Sequence, residues 1–394
     1  KITDNLDRIE EEATRQGYMD LEPNAKEYSK IKKLIMGYIK DNRRVVYGGS
    51  AYHAIIQKHR TDDSNNTIYK DWMRYDIEFY SPEPMNDVVK ICNLLLKNNI
   101  QFIMGRQAQH DETFTIFANF VQYCDMSYMS QELCDKFPYI EIDGIRYIHP
   151  EISLIDIFRM YNDPMTSYWR LQKVFKRMKL YINSYPFNFV RSDVVEIEEK
   201  NTSMISDIME VLKSKHDKLL FIGQLAYKKY MEPDKALKMN INHLEIIVED
   251  EYVKKIVKQI KSVDSELRVK TYSRFFQFWP ERHVIYYRGE AICTILGNNG
   301  RCVPFNRVEF DRHKINIGSY LVVLNYYLIG YYYEKCLGYG FYFGDRNFVN
   351  SMMTKRNEYL EKNGKTPLDD TIYKEFIIKC FGSTMEFGRE YLLK

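Results

Sequence analysis

The chain has 394 residues, 57 Lys+Arg against 54 Asp+Glu, a formal net charge of +3, and 45% hydrophobic and 28% charged residues. That length holds two or three domains, and the apolar share is that of a globular protein with ordinary cores. The near balance of charge excludes a positive field over the whole molecule, so affinity for nucleic acid has to come from local patches.

Seven cysteines stand at 92, 124, 134, 293, 302, 336 and 380 with no Cys-x-x-Cys, which leaves neither a zinc ribbon nor a redox motif. The odd count, with no secretory segment at the N-terminus, predicts reduced thiols in a cytosol-like compartment. The 33 tyrosines accompany many Lys, Ile and Asn, the bias of an AT-rich genome, so their number says nothing about base stacking.

Residues 2–15 predict a charged helical lead-in. Residues 24–39 repeat Ile31, Leu34, Ile35 and Tyr38 at helical spacing, as a helix packed on a sheet does. Residues 45–47 form a strand, Gly48-Gly49-Ser50 a turn, and residues 51–58 a helix. A polar loop covers 60–71. Residues 73–80 read as a strand, closed by Ser81-Pro82-Glu83-Pro84, and 85–98 as an amphipathic helix. Strands follow at 100–104 and 113–129. Residues 139–148 predict a hairpin turning at Asp143-Gly144. Residues 150–184 are helical. The apolar run 320–333 holds Asn325 and many tyrosines; it is too short and polar to span a bilayer and predicts a buried helix.

Asp76 and Glu78 sit two apart in Tyr75-Asp76-Ile77-Glu78-Phe79. A strand alternates its faces with period two, so both carboxylates point the same way. Like charges that close are costly unless a cation lies between them. Oxygen ligands on a rigid strand suit Mg²⁺ that also binds phosphates. Upstream, Gly48 and Gly49 let backbone amides approach a ligand, and Ser50 adds a hydroxyl at a helix N-terminus. Asp125 is the only acid within 113–129, and a metal shared with Asp76 and Glu78 would offset the cost of its charge there. Alone, acid-x-acid is a solvated strand edge and Gly-Gly-Ser is a turn. Their order gives a phosphate cradle beside metal carboxylates, the layout of nucleotidyl transfer.

On the 150–184 segment, Arg170, Lys173 and Arg177 share one helix face while Leu171, Val174 and Met178 share another. The basic face is either a solvated surface packed through its apolar side or a binder of phosphate or RNA backbone. Further on, Leu220-Phe221-Ile222-Gly223-Gln224-Leu225 echoes Val45-Val46-Tyr47-Gly48-Gly49-Ser50, and a strand follows at 243–248. In this second copy Gln224 and Leu225 replace Gly49 and Ser50, and Glu245 alone replaces the acid pair, with none at Leu244 or Ile246. The strand at 291–296 has no acid. The second unit, from Leu219 to about Val303, is then structural, or binds RNA or another subunit.

With Gly48-Gly49-Ser50, Asp76-x-Glu78 and Asp125 in place, the chain resembles the poly(A) polymerases of large DNA viruses, members of the polymerase-β-like nucleotidyltransferase superfamily. The resemblance covers most of 40–185. It is sharpened by Gln107-Ala108-Gln109-His110-Asp111-Glu112-Thr113, by Tyr123-Cys124-Asp125-Met126-Ser127-Tyr128-Met129, and by the segment from Asp163-Pro164 to Gln172-Lys173. It implies an α+β fold of two tandem nucleotidyltransferase domains, each a mixed sheet flanked by helices, with the second degenerate and a division at 1–188 and 189–394. It also implies template-independent addition of AMP from ATP to RNA 3′ ends. Two divalent ions, Mg²⁺ or Mn²⁺, would be held by Asp76, Glu78 and Asp125. Gly48, Gly49 and Ser50, helped by Arg170 or Lys173, would hold the ATP phosphates. The partners expected are an RNA 3′ end, ATP, and a homodimer mate or processivity subunit, with no membrane. The setting expected is cytoplasmic, a viral factory or virion. Two departures stand out: a long gap from Ser50 to Asp76, and Glu78 where Asp is common. The rival readings are a non-catalytic RNA-binding or processivity module and, among enzymes, a CCA-adding, uridylyl or oligoadenylate synthetase-like transferase. All three acids being present argues against the first.

Overall fold

The computed structural model describes residues 2–21, 24–59, 67–108, 112–163, 167–187, 190–311, 313–338 and 345–382. Contacts group the chain into two compact units, residues 1–154 with 173–187 and residues 155–172 with 188–394. The chain thus makes one excursion, 155–172, into the second unit before returning to the first.

The first unit comprises α1 (Leu6–Asp20), α2 (Ala25–Asp41), β1 (Val45–Tyr47), α3 (Gly48–His59), β2 (Ile77–Ser81) and α4 (Pro84–Lys97). After them come β3 (Met104–Gln107), β4 (Thr113–Ala118), β5 (Val121–Tyr128), α5 (Gln131–Lys136), β6 (Tyr139–Ile142) and β7 (Ile145–Ile148). Helix α6 (Pro150–Tyr161) leads out, and α7 (Leu171–Ser184) carries the chain back. The Asn24 side chain caps α2 by accepting from the amides of Lys26 and Glu27. Tyr28, Ile31, Ile35 and Ile39 form its buried stripe. Asp87 of α4 is fully buried and satisfied by Arg44 Nε at 2.7 Å and Tyr38 Oη at 2.7 Å, which ties α4 to α2 and to the residue that leads into β1.

The sheet runs β3-β4-β5-β2-β1-β7-β6. Ile77, Phe79, Ile116, Cys124 and Met126 are buried on one face, and alternation turns Glu78 and Asp125 to the other. The hairpin turns at Asp143 and Gly144, both at positive φ, as a tight two-residue turn demands. Three strands differ from expectation: the stretch 113–129 is not one strand but the hairpin of β4 and β5, turning at Asn119 and Phe120, both at positive φ. Strand β2 starts at Ile77, so Asp76 is the last residue before it, not a member of it. Strand β3 starts at Met104 rather than 100, because Asn99 and Phe102 take positive φ and interrupt the extended run.

The second unit contains α8 (Thr202–Leu212), β8 (Leu219–Ile222), α9 (Gly223–Met231), β9 (Leu244–Val248), α10 (Val253–Lys261) and β10 (Arg268–Tyr272). It continues through β11 (Arg282–Tyr287), β12 (Glu290–Gly297), β13 (Val303–Phe310) and β14 (His313–Gly318) to α11 (Tyr320–Leu337), α12 (Arg346–Lys362) and β15 (Cys380–Phe381). Helix α11 is the predicted buried helix, apolar almost all round. Among the described residues no helix is long and apolar enough to cross a membrane.

The second sheet runs β10-β11-β12-β9-β8-β14-β13-β15. Its first seven strands repeat the order of the first sheet, and each pair repeats the parallel or antiparallel sense of its counterpart. The echo at Gly223 is therefore a duplicated unit. Register corrects one detail of it. Ile222 pairs with Glu245 as Tyr47 pairs with Glu78, so Glu245 holds the position of Glu78. Two residues earlier, His243 and not Leu244 stands where Asp76 does. Thr294, opposite Glu245, takes the place of Asp125. His243 Nε2 lies 2.8 Å from the Thr294 hydroxyl and Nδ1 lies 2.9 Å from the Ala291 carbonyl, and burial pulls its pKa down to about 4. Burial likewise pushes Glu245 well above the usual carboxylate range, although the Gln224 amide donates to it.

The expectation of seven reduced thiols is corrected at one pair. Cys302 and Cys380 form a disulfide with a Cα–Cα distance of 5.2 Å, beside the pairing of β15 with β13. Their sequence separation of 78 hid the pairing. Cys92, Cys124, Cys134, Cys293 and Cys336 take part in no disulfide.

An unfolded Glu245 carboxyl ionises near 4.5, whereas the buried one stays protonated to higher pH. Its contribution to stability is whole below that value and is lost as pH rises through the raised folded pKa. Gln keeps the shape and stays neutral, so Glu245→Gln should raise the thermal midpoint more at about pH 8 than at about pH 4. Calorimetry at the two pH values checks this; an equal effect at both contradicts it.

Candidate active site

Four strands bring one row of side chains into register on the face away from α4. Tyr47 of β1 pairs with Glu78 of β2, Glu78 with Asp125 of β5, and Asp125 with Thr115 of β4. Gly48 has φ +67, and a Cβ there would lie 1.9 Å from Glu78 Oε2. Only glycine allows both that conformation and that approach. The Gly49 amide then donates to Glu78 Oε2 at 2.7 Å. The Ser50 hydroxyl donates to the Tyr47 carbonyl at 3.2 Å and lies 3.5 Å from the Glu78 amide. Thr115 Oγ1 donates to Asp125 Oδ1 at 2.6 Å. The sequence thus folds into a glycine turn with its amide on the central strand's carboxylate.

Burial pushes the Glu78 carboxyl up to about 7, reinforced by the charge of Asp76 and, less strongly, Asp125; the Gly49 amide and Arg177 oppose this. The acids therefore repel one another in a partly desolvated patch, as hard ligands do before a cation joins them. Among the described residues no three His, Cys, Asp or Glu side chains are grouped as a ready-made metal cluster. Glu78 faces Gly49 and Asp125 faces Thr115. The donor chemistry still fits a divalent ion: carboxylates from β2, from β5 and from the residue before β2, two of them raising the pKa of the third.

The structure brings to the turn two residues that the sequence did not assign to it. Arg177 of α7 reaches the glycine turn: a Cβ on Gly49 would sit 2.3 Å from Tyr69 Oη and 2.9 Å from Arg177 Nη1. Arg177 Nη2 donates to Tyr69 Oη at 2.8 Å. The Tyr69 ring stacks on Tyr75 at 4.2 Å and 6°, with Lys32 Nζ 3.6 Å from the Tyr75 centroid and His53 edge-on to both rings. Burial lowers the Lys32 ammonium to about 8. Cation, ring, ring and guanidinium make a pillar beside the turn.

Of the two basic residues expected at the phosphates, Lys173 is exposed one helical turn before Arg177. Arg170 closes a short 3₁₀ turn, Tyr168–Arg170, with its guanidinium 4.2 Å from the Trp169 ring centroid, and belongs to the excursion grouped with the second unit. Arg177 lay on the predicted basic face, and its spacing of four from Lys173 was the one available signal. Tyr69 carried none.

A glycine turn opening a helix, with acids on two adjacent strands of a mixed sheet and a third just ahead of one of them, is the layout of a nucleotidyltransferase. The family described as "Poly(A) polymerase catalytic subunit" matches residues 33–167, and "APMV, Putative poly(A) polymerase, catalytic subunit, C-terminal" matches 176–394. The "Putative poly(A) polymerase catalytic subunit" of Acanthamoeba polyphaga mimivirus is 32% identical over 411 residues, spanning 94% of this chain and 70% of that protein. Its counterpart from African swine fever virus (isolate Pig/Kenya/KEN-50/1950) is 25% identical over 175 residues, 43% of this chain and 36% of that protein. The crystal structure of the Megavirus polyadenylate synthase superposes with a TM-score of 0.87 at 27% identity, covering 100% of this chain and 82% of that one. The chain belongs to the viral poly(A) polymerase catalytic subunit family.

Gly49→Ala drives a methyl group into the Tyr69–Arg177 pair. It should lower the rate of nucleotidyl transfer on the order of tenfold to a hundredfold while leaving the fold intact. Single-turnover kinetics beside circular dichroism checks this; a wild-type rate would show that the pair does not position substrate.

Proposed function

We propose that this chain extends RNA 3′ ends with AMP from ATP, without a template, through a site built on Asp76, Glu78 and Asp125. The observation that carries the proposal is the cross-strand row that sets Glu78 beside Asp125 and beside the Gly49 amide. Asp76, Glu78 and Asp125 would hold two divalent ions, Mg²⁺ or Mn²⁺. When bound, such ions lower the pKa of an attacking hydroxyl and neutralise charge on the transferring phosphoryl group. The Gly48-Gly49-Ser50 turn at the start of α3 receives the ATP phosphates, the Gly49 amide and the Ser50 hydroxyl turning to them from the Glu78 carboxylate and the Tyr47 carbonyl. Arg177, held by Tyr69, supplies the nearest guanidinium. Asp125 lies on the side of Glu78 away from the glycine turn, so it faces the incoming 3′-hydroxyl while the turn faces the leaving pyrophosphate. Positioning and fixed charge provide most of the rate.

The second unit keeps the layout of the first with His243 and Thr294 in place of two acids, so it is assigned no chemistry. A role in binding RNA or a second subunit is the reading kept for it, and sedimentation of the purified chain distinguishes monomer from homodimer. The setting proposed is the cytoplasmic viral factory or the virion, on the strength of the viral relatives.

Incubating the purified chain with a short RNA and each NTP in turn tests the reaction. Extension with ATP alone is expected, and preference for CTP or UTP would transfer the reading to a CCA-adding or uridylyl enzyme. Asp76→Ala and Asp125→Ala should each abolish extension with the fold retained, because a lost ligand removes several kcal/mol of transition-state stabilisation, roughly a thousandfold or more. A folded Asp76→Ala chain that still tails RNA normally sinks the assignment.

Arg177→Ala should raise the KM for ATP by roughly tenfold, and Lys173→Ala by much less, since a charge-assisted phosphate contact is lost only in the first. Equal effects from the two would return the phosphate role to the exposed lysine.

A further inference from the structure

We propose that the RNA primer's terminal nucleotides lie along the acid-bearing face of the first sheet, from Asp125 past β4 to the exposed edge strand β3, with Arg106 and Phe117 as the principal contacts. This rests on the polyadenylation reading and adds a place for the primer. Residues paired directly across strands share a face of the sheet, so register extends the row of acids outward. Asp125 pairs with Thr115, and Thr115 pairs with Arg106. Arg106 thus stands two inter-strand spacings, about 10 Å, from Asp125. In the next row on the same face, Met104 pairs with Phe117. Gly105, between them, faces the other way: a Cβ on it would lie 2.4 Å from Val88 Cγ1 of α4. Helix α4 therefore covers the opposite face and leaves Met104, Arg106 and Phe117 with the acids.

The chemistry of the strip fits a single strand of RNA. The Arg106 guanidinium lies over the Phe117 ring, 4.7 Å from its centroid, and Arg106 and Met104 are exposed. Where β3 begins and the β4–β5 hairpin turns, Phe102 and Phe120 stack at 5.3 Å and 27°, 65% and 82% exposed. Both hold positive φ, which disfavours a bulky side chain. Backbone strain together with exposed rings is characteristic of surfaces that bind. Rings that stack bases beside a cation that meets phosphate hold single strands with little regard to sequence. Continuity fixes the occupant. With the glycine turn on the β1 side of Glu78 and Asp125 on the β5 side, ATP and primer approach the acids from opposite directions, and β4 and β3 are what the primer side offers.

The test uses the full chain, ATP, and a short single-stranded oligo(A) RNA. Arg106→Ala should raise the KM for RNA roughly fivefold or more and reduce the dependence of RNA binding on log salt by about one unit, while the KM for ATP stays within about twofold. Arg106→Lys should restore the salt slope without the full affinity, because an ammonium keeps the phosphate contact and loses the flat stacking surface. Phe117→Leu should weaken RNA binding with the salt slope unchanged, its thermal midpoint confirming the fold. An unchanged RNA KM in folded Arg106→Ala overturns the track. So does an ATP KM that moves as far as the RNA KM, which would place Arg106 in the nucleotide site. A wild-type chain that cannot extend RNA with ATP overturns the polyadenylation reading itself, an outcome distinct from either.

Discussion

A central-strand carboxylate that accepts a backbone amide from a left-handed glycine turn is the contact on which both units are built. In the first, Glu78 receives the Gly49 amide; in the second, Glu245 receives the Gln224 amide. The preceding glycine has φ +67 in one and +58 in the other, with the carboxylate where its Cβ would be. The contact fixes where the helix starts relative to the strand, and the strand fixes its neighbours by register. Everything that the site needs, from the amides of the turn to the acid on the next parallel strand, inherits its position from this one hydrogen bond.

The two units diverge in how they treat the charge. Around Glu78 the chain keeps Asp76 and Asp125 and admits Arg177, so the patch stays polar and reachable. Around Glu245 it substitutes His243 and Thr294, which hydrogen-bond to each other, and it fills the space above the turn with the Gln224 side chain. Gln224 Oε1 accepts from the amides of Asn242 and His243, so the side chain that blocks the turn also satisfies the backbone there. A cleft that needs water and ions has become a neutral polar core.

How much of this was legible depended on whether the signal was local. The glycine turn, the acid-x-acid spacing and the single acid of the 113–129 stretch are short-range patterns with a period, and the sheet placed Glu78 and Asp125 side by side. The echo at Gly223 was legible for the same reason. Its register was not: Leu244, Glu245, Ile246 and Val248 are all fully buried, so no alternation of polar and apolar residues marked which positions faced the old site. Arg177 could not be told from Lys173 because both lie on one helix face, and only tertiary packing decides which turn meets Gly49. Tyr69 sits between a polar loop and an acidic strand with no periodicity at all. Cys302 and Cys380 meet through two strands that are far apart along the chain.

The long stretch between Ser50 and Asp76 reads differently once Tyr69 and Tyr75 are seen stacked beside the turn. The extra length is raw material: it delivers an aromatic wall that a shorter connection could not supply. In the second unit the same connection, from Leu225 to His243, is shorter and brings Asn242 to Gln224 instead. Two copies of one unit can therefore differ in the length of a loop and in a few polar side chains while keeping the strand order they share. On one and the same frame, then, a loop's length and a few polar side chains separate an acidic patch from a neutral polar core.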